Sequence, residues 1–329
     1  MPAAIEHLLP ERLSRIVSRL DRSALDLLEE LRIRESRPLE VVYGGQYAFV
    51  TAAGGLTLSA DEAYRPDRDD CLKLLDILTN HSLYSFEEEL RRGYITVRGG
   101  HRVGIAGRAV LDRGQVRLLR DISGFNIRLA REVRGAAERI IRSLIDPAQG
   151  LIHHTLVVSP PLCGKTTLIR DIARILSEGA WSGSRRPGRG VKVGIVDERS
   201  EIAASVEGVP TFDVGPRTDV LDACPKAEGM MMMIRSLSPQ VIIVDEIGRK
   251  QDAEAIQEAM HAGIRVVATA HGKDIEDVRR RPDLAPLLAA SAFSRYVVLT
   301  GTGSSRQQHV YDGQLRPINP MADKAALVR

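Results

Sequence analysis

The sequence predicts an α/β chain of two domains: a P-loop domain with a parallel sheet over 148–329, preceded by a smaller α+β domain over 1–147. Three observations carry this expectation. Ser159-Pro160-Pro161-Leu162-Cys163-Gly164-Lys165-Thr166-Thr167 follows an apolar run and opens a helical one. Beyond it, short apolar runs alternate with amphipathic segments, the pattern of parallel strands joined by crossover helices. The stretch Asp146-Pro147-Ala148-Gln149-Gly150 separates this from a differently patterned first part.

In the first part, 11–20 and 23–31 carry helical apolar spacing, and 32–50 reads as short strands broken by Pro38 and Gly44-Gly45. The spacing predicts helices over 67–78, 87–92 and 136–144. Strand-like runs occupy 94–97, 102–110 and 126–129, with Gly99-Gly100 as a turn. In the second part, strands are expected at 154–159, 191–196, 241–244 and 264–270, with helices at 165–176, 229–237 and 251–262. A Gly/Ser/Arg loop spans 179–190.

The composition is that of a globular protein: 329 residues, 43% hydrophobic and 27% charged, which excludes a disordered tail or a fibre. Net charge is only +3, but its distribution is uneven. Residues 91–142 hold 13 arginines, no lysine and four acids, a net of +9, against about −6 elsewhere. Such a run is usually a solvated basic face. Three widely spaced cysteines, Cys71, Cys163 and Cys224, suggest neither a disulfide framework nor a metal cluster, and fit a reducing, cytosolic compartment. No run approaches the roughly 18 apolar residues of a membrane span, so a membrane role would come through partners.

The motif residues have defined chemistry. Backbone N–H groups of the loop 159–167 and the helix N-terminus form a concave anion site. Gly164 lets phosphate approach, Lys165 reaches the β- and γ-phosphates of ATP, and the Thr166 hydroxyl is placed for Mg²⁺. Ser159 stands where a P-loop ordinarily has its first glycine; Pro160-Pro161 offer rigidity instead. Cys163 reads as a small packing residue, with a lowered thiol pKa beside the helix N-terminus as the alternative.

Val241–Val244 runs into Asp245-Glu246, the pattern of a Walker B strand. Asp245 would hold Mg²⁺, and Glu246 would orient or deprotonate the attacking water. A second strand ends in Asp197-Glu198-Arg199-Ser200-Glu201. Parallel strands deliver their C-terminal ends to one crevice, so Asp197 could join the metal site and Glu198 could act as an alternative base. The other reading pairs Asp197 and Glu201 structurally with Arg199 or a neighbour. Thr269-Ala270-His271-Gly272 closes a fourth strand, where His271 could sense the γ-phosphate or be a structural histidine. Arg217, Arg235 and Arg249 are candidate arginine fingers, in cis or in trans. Met230–Met233 is either an adaptable interface or a buried helix face.

These residues resemble a known family. HSLYSFEEELRRGYITVRGGHRVGIAGR, NIRLARE, SPPLCGKTTLIRDIAR, VDERSEIAA, DVGPRTDVLDACPKAEGMMMMIRSLSPQVIIVDEIGR and ATAHG are similar to the stage III sporulation protein AA family of endospore-forming bacteria. They cover most of 31–272. The family is in turn similar to the hexameric ATPases of type II and type IV secretion and of pilus machines. The resemblance implies a RecA-like P-loop NTPase with ATP and Mg²⁺ as cofactors. It implies a homo-oligomer, a hexameric ring, that powers or assembles a channel between mother cell and forespore. Its partners would be membrane proteins of the stage III sporulation A channel, recruiting it from the mother-cell cytoplasm to the outer forespore membrane. Asp197, Glu198 and Glu201 fall at the acidic box of the secretion ATPases and His271 at their histidine box. Those ATPases often have Gly-Glu where this chain has Asp245-Glu246, so the base is Glu246 first and Glu198 second.

Two other functions fit a RecA-like core: a nucleic-acid-dependent ATPase and a non-hydrolysing ATP switch. Aromatics are 4% of the chain, with Tyr94 and Phe125 alone inside the basic segment, which leaves few stacking platforms for single strands. Intact Lys165, Thr166, Asp245 and Glu246 argue against a pure switch. The basic run lies just ahead of an acidic ATP site, so Arg102, Arg128 and Arg131 are expected to face nucleotide or a neighbouring subunit.

Overall fold

The computed structural model describes residues 6–80, 90–91, 93–97, 99–112, 114–130, 132–161, 163–181, 189–301 and 305–319. Two compact units divide the chain, residues 1–131 and 132–329. The sequence places the boundary after 147. The structure assigns the intervening stretch to the second unit, because Ala137, Ile140, Ile141 and Leu144 are buried in its core. The basic run therefore belongs to no single domain. Arg134 pairs with Asp213 at 2.9 Å inside the second unit.

The first unit is an antiparallel sheet with helices Glu11–Val17, Arg22–Asp26 and Arg68–Leu78. Its strands are β1 (Leu28–Arg34), β2 (Glu40–Tyr43), β3 (Gln46–Val50), β4 (Leu56–Thr57), β5 (Tyr94–Val97), β6 (His101–Asp112) and β7 (Gln115–Arg128), in the order β4-β3-β2-β1-β7-β6-β5. The expected helix over 23–31 ends early, and Leu28 starts β1. Leu25, Leu28 and Leu31 suit a helical period, but pairing with β7 puts Leu31 opposite Ile127 and Ile33 opposite Phe125, all four buried. Tertiary pairing overrides local spacing here. The run expected at 126–129 is the end of the long β7. The helix expected at 87–92 lies mostly outside the described residues.

The helix Arg68–Leu78 starts as its sequence dictates. Asp67 accepts from the Asp70 N–H at 2.8 Å, and Asp70 accepts from the Asp67 N–H at 3.2 Å. This reciprocal cap satisfies two donors that a helix start leaves open. Arg12 donates to Asp67 at 2.6 Å, and the Tyr64 hydroxyl to Asp70 at 2.5 Å.

The second unit opens with a short helix, Ile141–Leu144, where the sequence predicts a helix over 136–144, and a small hairpin of β8 (Ile145–Asp146) and β9 (Leu151–Ile152). Its main sheet contains β10 (Thr155–Ser159), β11 (Val193–Asp197), β12 (Thr218–Asp222), β13 (Val241–Val244), β14 (Arg265–His271), β15 (Arg295–Thr300), β16 (Gln307–Asp312) and β17 (Pro317–Ile318). The order is β12-β11-β13-β14-β10-β15-β16-β17, parallel as far as β15 and antiparallel at the last two strands. Every residue of β10, β11 and β13 is buried, as strands covered on both faces must be.

Alternate residues of these strands enter two cores. Val157, Ile195, Ile243 and Val267 pack with Ile169 and Ile172 of the helix Lys165–Glu178. Leu156, Val158, Ile242 and Val244 pack on the other face with Ile256 of the helix Lys250–His261 and with Met230 and Met233 of the helix Lys226–Ser236. The methionine run thus resolves: Met230 and Met233 are core, while Met232 is exposed.

Candidate nucleotide site

The second unit brings the C-terminal ends of β10, β11, β13 and β14 to one edge, which sets Ser159, Asp197, Asp245 and His271 on a common rim. Ligands of open parallel sheets bind in the crevice outside such ends.

At β10 the chain turns through Pro160 and Pro161 into the helix Lys165–Glu178. The Ser159 hydroxyl donates to the Pro160 carbonyl at 2.7 Å, closing the turn that a glycine ordinarily makes. Gly164 has φ +90°, a left-handed conformation that side chains resist, and caps the helix N-terminus. Cys163 is buried, its Sγ 3.6 Å from the Pro161 carbonyl. Leu162 lies outside the described residues. Thr167 is the third residue of the helix.

Lys165 is buried. Its ammonium donates to the carbonyls of Ser159 (2.9 Å) and Pro160 (3.1 Å), to the Ser159 hydroxyl (3.2 Å) and to His271 Nδ1 (3.1 Å). Burial lowers its pKa, opposed by the charges of Asp245 and Glu246. An ammonium can only donate, so His271 accepts at Nδ1 and carries its proton on Nε2. That nitrogen faces Glu246 Oε1 at 2.6 Å. One neutral imidazole thus ties the P-loop lysine to the Walker B glutamate. Arg199 holds the other Glu246 oxygen at 2.8 Å.

Asp245 is fixed on both oxygens. The Thr166 hydroxyl donates to Oδ2 at 2.7 Å, and the Thr269 hydroxyl donates to Oδ1. The Glu246 N–H reaches Asp245 Oδ1 at 3.0 Å and Thr269 Oγ1 at 2.8 Å. Glu246 has φ +52°, a conformation costing a non-glycine residue roughly 1–2 kcal/mol. The hydroxyl of Thr269 and the carboxylate of Asp245 hold its backbone there. A hydroxyl and a carboxylate 2.7 Å apart are the hard oxygen donors that Mg²⁺ takes, usually completed by water and phosphate. Among the described residues no cluster of three or more His, Cys, Asp or Glu could hold a metal alone, so a cation here would lean on phosphate oxygens.

Two sequence expectations are corrected by these positions. Asp197 lines the cleft with Asp245 and Glu246, but its carboxylate is taken up by backbone donors. It is 2% exposed, and its carboxylate accepts the backbone N–H groups of Glu201, Ile202 and Ala203, each at 2.9 Å. Burial raises its pKa to about 6 despite those bonds. It organises the loop that follows β11. Arg199 pairs not with Asp197 but with Glu246. Glu198 lines the same narrow cleft as Asp245 and Glu246, yet its carboxylate is tied to Lys226.

The arginines divide. Arg217 is exposed and precedes β12, at the N-terminal end of the parallel sheet. That is the end away from the P-loop of its own chain, so a cis role is excluded by the strand direction. In the first unit, Arg102 stacks over Tyr94 at 3.7 Å and Arg128 lies 3.6 Å from Glu30. Arg131 lies outside the described residues.

Sequence reasoning did not single out Thr269 or Arg170. Thr269 is two residues before His271, on the same strand face, and that period was its signal. Arg170 lies on the P-loop helix, donates to the Glu201 carbonyl at 2.7 Å and to the Ile202 carbonyl, and stacks over Phe212 at 4.1 Å. Burial lowers its pKa to about 10. Its signal was a cation among the apolar residues of the run Leu168–Leu176.

The model of the family "Sporulation stage III, protein AA" matches residues 2–316. The chain is 46% identical over 314 residues to stage III sporulation protein AA of Bacillus subtilis (strain 168), covering 94% of this chain and 96% of that protein. Among solved structures it is similar to the Legionella pneumophila ATPase DotB (TM-score 0.57, 14% identity, 92% of this chain and 82% of that one). It is also similar to the pilus retraction motor PilT with bound ADP (TM-score 0.56, 16% identity, 87% and 79%). At those identities the structures establish the fold, the RecA-like α/β fold of secretion ATPases. By the match along nearly its whole length, this chain belongs to the sporulation stage III protein AA family.

Proposed function

We propose that the protein is a Mg²⁺-dependent ATPase, a secretion-ATPase-like motor that powers or assembles a channel from mother cell to forespore. The observation that carries this reading is the linked set Lys165–His271–Glu246 beside Thr166–Asp245. In this reading the loop 159–167 and Lys165 bind the phosphates. Bound Mg²⁺ would neutralise charge on the β- and γ-phosphates, held from Thr166 and Asp245. Glu246 orients the attacking water and accepts its proton, and His271 and Arg199 fix the direction of its carboxylate. Glu198, occupied by Lys226, ranks second as base.

The fold shared with DotB and PilT supports a homo-oligomeric ring, hexameric by the family resemblance. In that ring Arg217, and from the first unit Arg102, Arg128 and Arg131, are candidates to reach a neighbour's nucleotide. No helix among the described residues is long and apolar enough to cross a membrane. Recruitment from the mother-cell cytoplasm by membrane proteins of the stage III sporulation A channel accords with that.

The test is phosphate release from Mg²⁺-ATP by the assembled protein. Steady release by the wild type is expected, falling about 100-fold or more in Glu246→Gln while nucleotide binding persists. No release by the wild-type oligomer overturns the enzyme reading. Release by Glu246→Gln at the wild-type rate overturns the assignment of the base.

A further inference from the structure

The connection between β15 and β16 carries an arginine that neither the P-loop motif nor the acidic strands account for. Arg306 is exposed, yet its guanidinium lies against the phosphate loop. Its Cζ and one terminal nitrogen are each 2.8 Å from the point a Cβ on Gly164 would occupy. A side chain at Gly164 would have to push this exposed, flexible guanidinium aside, so the φ of +90° remains the reason for glycine there, and the short distance records how closely Arg306 approaches the loop. Among the described residues, no carboxylate, carbonyl or hydroxyl group pairs with this guanidinium.

Three positive features meet at this spot. One is the N-terminus of the 14-residue helix Lys165–Glu178, where N–H groups and the helix dipole point outward. The second is Lys165, whose ammonium already contacts Ser159, Pro160 and His271. The third is Arg306. An exposed guanidinium beside a helix N-terminus adds positive charge to an existing anion site while remaining solvated when no anion is bound. Its planar fork suits two oxygens of a phosphate.

We propose that Arg306 is a cis phosphate contact: it binds the phosphate chain of the nucleotide seated on the loop 159–167 of its own subunit. The inference rests on the ATP reading above and adds to it a residue from the antiparallel edge of the sheet. The contact belongs to binding, so it acts on ADP as well as ATP. It differs in this from an arginine finger, which acts on turnover.

The experiment is titration calorimetry of the full-length protein with ADP, ATP and inorganic tripolyphosphate, on wild type, Arg306→Gln and Arg306→Lys. Losing a charge-assisted, bidentate contact should weaken all three ligands in Arg306→Gln by about 10- to 100-fold, with partial recovery in Arg306→Lys. The melting temperature without ligand should not move, since the side chain is exposed and pairs with nothing described. Unchanged ADP and ATP affinity in Arg306→Gln, with a wild type that binds both, overturns the role of Arg306 alone. Weaker nucleotide binding with unchanged tripolyphosphate binding also overturns it, by moving the contact to the ribose or base. A wild type that binds no nucleotide defeats the underlying ATP reading.

Discussion

The two units of this chain treat their polar clusters in opposite ways. In the first, an antiparallel sheet has one buried face, and its polar cluster is consumed by structure. Arg12, Tyr64, Asp67 and Asp70 close a helix cap and satisfy one another. In the second, parallel strands are buried on both faces, and the charged site residues lie at their C-terminal ends. There Lys165, Asp245, Glu246, Thr269 and His271 form a chain of contacts that burial makes strong and that a left-handed Glu246 makes strained. The same kinds of side chain cap a helix in one unit and line the candidate nucleotide site in the other. The difference lies in whether the strand ends converge.

Three perturbations sharpen that contrast. The largest effect is expected at Thr269. Thr269→Val keeps the shape but removes the donor to Asp245 and the acceptor for the Glu246 N–H. Turnover of Mg²⁺-ATP should fall at least about tenfold, and the second unit should lose about 1–3 kcal/mol, read by denaturant unfolding. Wild-type turnover would show that the strained Glu246 backbone needs no such support.

The next effect is a pH dependence. The folded pKa of Asp197 is raised from 3.8 to about 6, chiefly by burial. Between those values the folded chain binds the proton that the unfolded chain has released, so this contribution is present below about pH 4 and lost as pH rises through about 6. The contribution is on the order of 3 kcal/mol. Asp197→Asn cannot titrate, so the wild-type-minus-variant stability should decline from pH 4 to 6 and then level off. A flat difference would mean that the three backbone donors cancel the effect of burial.

The smallest effect is in the first unit. Asp67→Ala removes one half of the reciprocal cap and should cost about 1 kcal/mol in the unfolding of that unit, with ATP turnover unchanged. Loss of turnover would show that the cap matters beyond its own unit.

Much of the second unit is legible in the sequence because its physics is local. β10 and β13 are apolar runs, each followed by the residues that give them meaning. Two strands toward the ends of the sheet are not legible. β12 (Thr218–Asp222) and β16 (Gln307–Asp312) carry polar residues, and they are strands because a neighbour offers hydrogen bonds. The site divides similarly. Lys165, Thr166, Asp245 and Glu246 follow from spacing, and His271 from its place at a strand end. The Arg199–Glu246 pair and the approach of Arg306 to Gly164 are contacts between segments far apart in sequence, which no local pattern encodes. In the first unit the same limit appears at Leu28–Leu31, where helical spacing is overruled by pairing with β7.

The central claim is that the β10, β13 and β14 ends form one ATP site within the second unit. Its most direct test is a structure of the Glu246→Gln oligomer with Mg²⁺-ATP. The account predicts the triphosphate on the loop 159–167, with the cation beside Thr166 and Asp245 and Lys165 at the phosphates. Nucleotide bound elsewhere, or a loop left empty at saturating Mg²⁺-ATP, would contradict it.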